Sequence, residues 1–164
     1  MVVVGLSAMI VYAMALAMRT GDVHHQETDV KMSLYDSTRE GLYKMIQEIR
    51  QSSPSRITLG ASTITFNIPD PNAPVTAAYA VDWASSDQVA YALGGTGNRQ
   101  IIRTSGGQTK VIANDVTSLS FTGNGGQPTV VTIAMNVQRA LPNGRNIPAT
   151  PFQMTAKAEV RNTG

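Results

Sequence analysis

Met1 to Met18 contain no charged side chain. Val2, Val3, Val4, Leu6, Met9, Ile10, Val11, Met14 and Leu16 put apolar groups on every side of a helix turning about 100° per residue. A segment apolar all round belongs in lipid or among other apolar helices, and at ~1.5 Å per residue it reaches ~27 Å against a hydrocarbon core of ~30 Å. From Arg19 the pattern narrows. Val23, Val30, Leu34, Tyr35, Leu42, Met45, Ile46 and Ile49 gather within an arc of roughly 160°, and Asp22, Asp29, Asp36, Glu40 and Lys44 fall outside it. One helix is expected, greasy and then amphipathic, with Leu34, Leu42, Ile46 and Ile49 as its packing face. Glu27 and Lys31 interrupt the stripe at the i,i+4 spacing that suits an ion pair. Ser37 to Glu40 matches a capping box that would split the helix, but Ser37 and Glu40 are read as facing water in an unbroken one. Pro54 excludes the preceding residue from helical geometry, so the helix is expected to end at Ser52 or Ser53.

Beyond Pro54 the period becomes two. Ile64, Phe66 and Ile68 alternate with Thr63, Thr65 and Asn67, and the alternation returns at Val89 to Leu93, Leu119 to Phe121, Val131 to Val137 and Phe152 to Val160. Eight of the 14 glycines lie between Gly94 and Gly126, in short loops that separate these runs and predict antiparallel hairpins. Pro69 to Pro74 and Leu141 to Pro148 read as longer surface connections. The expected fold is α+β. Residues 1–53 form the helix, divided at residue 18 between a membrane or filament-core segment and an amphipathic one, and residues 54–164 form an antiparallel β domain whose apolar face takes the helix.

Charge and composition exclude more than they select. Thirteen basic against 11 acidic residues give a field too weak and too scattered for a nucleic-acid partner. With no cysteine there is no disulfide, thiolate nucleophile or thiolate metal site. His24 and His25 are the only histidines and, as helix neighbours, point about 100° apart, so they do not chelate one ion. Gly94-Gly95-Thr96-Gly97 lies between strands with no helix start or lysine after it, which makes it a turn rather than a phosphate nest. Asp70, Asp82, Asp87 and Asp115 are too scattered for a calcium site. Trp83, with Tyr79 and Tyr91, is read as core. No catalytic residue, metal ligand or cofactor site is assigned, and the chain is not expected to be an enzyme.

The order of parts resembles the type IV pilin-like proteins. Met1 to Ile10 is similar to their N-terminal helix just past its hallmark Phe-Thr-Leu-Ile-Glu-Leu, which would lie six residues upstream of Met1. Lys110-Val111-Ile112-Ala113-Asn114-Asp115-Val116, followed by Leu119-Ser120-Phe121, is similar to a stretch of minor pilins and pseudopilins, and Ala158 to Asn162 resembles their closing strand. Met1 is accordingly expected to be an internal start. The resemblance implies a pilin-like fold and a non-catalytic minor pilin or pseudopilin, akin to the J-type pseudopilins of type II secretion or the W-type minor pilins of type IV pili. It would sit in the inner membrane as a single-pass protein with an extracytoplasmic domain and then join a filament, its partners other pilin subunits met through the helix. Two rival expectations remain. One is a membrane-anchored periplasmic scaffold, and the other a secreted β-domain cleaved near Ala17.

Overall fold

The computed structural model describes residues 2–70, 72, 80–141 and 144–162, and within the helix the side chains of residues 2–8, 10, 19–24 and 26 fall outside that description. Met1, Tyr79, half of the first proline connection and residues 142–143 therefore lie outside the described residues. The elements are α1 (Val2–Ile49), β1 (Ile57–Leu59), β2 (Thr63–Ile68), β3 (Asp87–Gly94), β4 (Gln100–Ser105), β5 (Gln108–Asn114), β6 (Val116–Gly123), β7 (Val130–Ala140) and β8 (Asn146–Glu159), with two 3-10 turns at Pro54–Arg56 and Thr96–Asn98.

The folded body is mostly β. Among the described residues eight strands form two antiparallel sheets, one of five strands in the order β1-β2-β3-β4-β5 and one of three in the order β6-β7-β8. This corrects the expected class, a pilin-like α+β fold with a membrane-length helix laid on one meandering sheet. The second sheet starts at Asp115. Its φ of 62° turns the chain between β5 and β6, so that β6 takes β7 as its partner instead of continuing beside β5. The single-pass inner-membrane placement is corrected as well. Among the described residues no helix is long and apolar enough to cross a membrane. The described apolar side chains of its early part run from Met9 to Met18, about 15 Å of helix against a hydrocarbon core of ~30 Å.

Strand periodicity decides which side chains go inside. Ile64 and Phe66 of β2, Val89 and Tyr91 of β3 and Ile101 of β4 are fully buried from the larger sheet; Val131, Ile133, Met135 and Val137 of β7 come from the smaller one, with Leu119 and Phe121 of β6 beside them. The alternate residues of the same strands face outward and are Thr, Ser, Asn, Gln and Ala in the main. Leu34, Leu42, Met45 and Ile49 of α1 enter this core, and Val30 and Ile46 pack at its margin. Gly41 makes the approach possible, because a Cβ there would stand 3.2 Å from both the Ala113 Cβ and the Ile112 carbonyl oxygen of β5.

Helix α1 continues unbroken through Ser37. The buried polar residue at that point is Thr38, whose Oγ1 donates to the Leu34 carbonyl at 2.6 Å, so the hydroxyl is satisfied by its own helix. The helix ends at Ile49, three residues before the earliest expected end. The Gln51 and Ser52 amides fall back on the Glu48 and Ile49 carbonyls in tightened turns before Pro54.

Candidate assembly surface

The site is the early part of α1. Of its assigned residues, Met9, Val11, Met14 and Leu16 are exposed, from 76 % at Met9 to 48 % at Leu16, and Tyr12 and Met18 are exposed with them. The side chains of Val2, Val3, Val4, Leu6 and Ile10 lie outside the described residues, although the backbone there is helical. Single exposed apolar residues are ordinary on protein surfaces, but a helix that shows Val, Met, Tyr and Leu on successive turns is a contiguous patch of the kind that marks an interaction site. Among the described side chains, apolar burial begins with Val30 and Leu34. An apolar arm therefore stands on a packed base.

The base is fastened at both ends. At the upper end Glu27 pairs with Arg145 from the β7–β8 connection, not with Lys31, and the Tyr35 ring stacks on Phe152 of β8 with centroids 6.1 Å apart. At the lower end Glu48 faces β3 and β4. Tyr91 Oη donates to Glu48 Oε2 at 2.6 Å, and Arg103 Nε donates to both carboxylate oxygens at 3.0 and 2.9 Å. Burial, and then the hydrogen bond and negative charge of Glu48, push the Tyr91 hydroxyl far above the usual phenol range. Burial by itself would lower Arg103, but its hydrogen bond and attraction to Glu48 prevail and raise it. The cluster is a charge-assisted staple between helix and sheet.

Of the packing residues assigned from sequence, Leu34, Leu42 and Ile49 are buried and Ile46 is half-buried. Sequence reasoning missed the Glu48–Tyr91–Arg103 staple and the Glu27–Arg145 pair. The partners of Glu48 lie 43 and 55 residues away and that of Glu27 118 away, beyond any local spacing rule. A weak signal was present in Glu48 itself, a carboxylate one residue from the core-facing Ile49.

A second network ties the two sheets together. Arg139 Nε donates to Asp115 Oδ2 at 2.8 Å, Arg99 donates to the Gln138 carbonyl, and the Gln138 amide reaches the Pro148 and Ala149 carbonyls at 3.1 and 3.0 Å. Trp83 is half-buried with the Arg56 guanidinium over its ring at 4.8 Å. Among the described residues no group of His, Asp and Glu side chains is gathered closely enough to hold a metal. Comparison with protein-family models, characterised proteins and solved structures finds no match to the chain.

Proposed function

We propose that this chain is a non-catalytic assembly subunit, of the minor pilin or pseudopilin kind, that joins a filament by packing its apolar helix arm against the arms of sister subunits. The observation that carries the reading is the exposure of Met9, Val11, Tyr12, Met14 and Met18 on successive turns of a helix whose next half is locked into a folded body. At about 100° per residue Val11, Met14 and Met18 share one face and Met9, Tyr12 and Leu16 the opposite one, so two neighbours, one on each face, bury six side chains at about 1.5–3 kcal/mol each, on the order of 10 kcal/mol gross, enough to offset the entropy of association. The rigid base adds to this. An arm set at a fixed angle presents the same face to each neighbour, and a head-to-tail contact of that kind propagates as a filament when its rotation does not close a ring.

The test is sedimentation and electron microscopy of the purified full chain beside Met14→Asp/Met18→Asp. The unaltered chain is expected to form elongated assemblies and the double variant to stay dispersed, with equal melting temperatures because neither side chain touches the core. Assembly of the double variant to the same extent overturns the reading. In the host, deletion of the gene is expected to reduce filament number, and unchanged filaments and secretion count equally against it.

A further inference from the structure

The outward face of the fastened half of α1 is a second, separate surface. Taking Met32 as zero, Asp36, Arg39 and Tyr43 fall at about +40°, −20° and +20° around the helix, opposite the buried Leu34, Thr38 and Met45. Met32 is 63 % and Tyr43 61 % exposed. Beside Tyr43 lies a groove of about 520 Å³ lined by Arg39, Leu42 and Ile46 among others; beside Met32 lies one of about 280 Å³ lined by Lys31, Tyr35 and Asp36. The stripe reads alike in both directions. A two-fold axis between residues 37 and 38 exchanges position 32 with 43 and position 36 with 39.

We infer that the outward faces of α1 from two copies of this chain pair antiparallel about that axis, each Met32 entering the groove beside Tyr43 of the other copy and each Asp36 meeting Arg39 of the other copy. The contact is isologous, so each favourable pair is made twice. Thioether against aromatic ring and carboxylate against guanidinium are both attractive juxtapositions. Lys31 and Lys44 lie on opposite flanks of the stripe, about 100° and 120° from Met32, so the two-fold keeps these like charges apart, and Glu40 stands at the rim. The parallel in-register alternative would set Arg39 against Arg39. From Asp29 to Ile46 the strip is about 27 Å long and about 10 Å wide, or roughly 270 Å² per copy against the ~800 Å² of a standard interface. The pair is therefore weak and forms as concentration rises.

The experiment is done on the full chain carrying Met14→Asp/Met18→Asp, so that the arm takes no part and a failure here leaves the filament reading untouched. Sedimentation equilibrium is expected to show concentration-dependent dimers. Asp36→Arg is expected to lower the association constant about 10-fold or more, and Asp36→Arg/Arg39→Asp to restore it to within about 3-fold. Because the protein has no cysteine, mixing an Asp36→Cys chain with an Arg39→Cys chain under oxidised glutathione should give the mixed disulfide in excess over either homodimer. A monomer at all concentrations, failure of the charge reversal to rescue, or preferential Arg39→Cys homodimers each overturns the proposal.

Discussion

Tyr91 shows how one residue couples helix, sheet and solvent pH. Its ring is fully buried and stacks on Phe66 with centroids 6.1 Å apart, while its hydroxyl spends its proton on Glu48. Ionising it would bury a phenolate against a carboxylate, so its pKa is raised in the folded chain by burial first and Glu48 second. A raised native pKa means that the folded state holds its proton where the unfolded chain, titrating near ~10, has released it. The associated stability is intact below that pH and declines as pH rises past it, by up to about 1.4 kcal/mol per pH unit. Urea midpoints at pH 8.5 and 11 are expected to show a larger loss in the unaltered protein than in Tyr91→Phe. Tyr91→Phe itself costs about 1–2 kcal/mol at neutral pH, since Glu48 keeps Arg103 and loses only one charge-assisted bond. Equal losses in the two proteins would remove the staple from the account.

Among the elements, the contact of α1 with β5 depends on what Gly41 lacks. In an open helix, replacing Gly by Ala gains about 1 kcal/mol, but here the new methyl meets the Ala113 Cβ and the Ile112 carbonyl at 3.2 Å, and that contact absorbs most of the gain. Gly41→Val adds two more carbons to the same crowded space and is expected to cost about 2–3 kcal/mol in thermal or urea unfolding, with Gly41→Ala within about 1 kcal/mol of the original. Comparable stability for the two variants would show that helix and strand move apart freely. The same region marks the limit of what sequence could disclose. Period-two alternation put Ile64, Phe66, Val131 and Ile133 on inward faces because a strand's side chains must alternate, whatever sheet they end in. It gave no warning that the chain changes sheets at Asp115, because a left-handed φ at an aspartate leaves the hydrophobic pattern undisturbed on either side. The uncharged run from Met1 to Met18 reads as membrane-length by its pattern, yet among the described residues no helix is both long and apolar enough for a bilayer crossing. Thr38 is buried for a reason equally invisible to a polarity count, its hydroxyl being satisfied by the carbonyl four residues back.

Across the whole molecule, stability is distributed as assembly by the arm would require. The lower half of α1 is tied by Glu48, and the residue just past its end by the Arg161 amide on the Arg50 carbonyl, whereas at the upper end Glu27 pairs with Arg145, whose side chain is 57 % exposed. An exposed ion pair contributes about 0–1 kcal/mol, so this upper tie governs the direction of the arm more than the survival of the fold. Arg145→Ala is therefore expected to leave the urea midpoint almost unchanged while hydrogen exchange quickens between residues 25 and 33 and stays slow between 41 and 49, where Gly41, Leu42, Met45 and Ile49 are buried. If arms pack on one another, the freed arm must also give up orientation entropy on joining a neighbour, so the same variant should assemble more slowly or at higher concentration, with no change in the melting of the body. Exchange that quickens uniformly along α1 would mean that the helix opens as one unit, and the division into a firm base and a projecting arm would no longer hold.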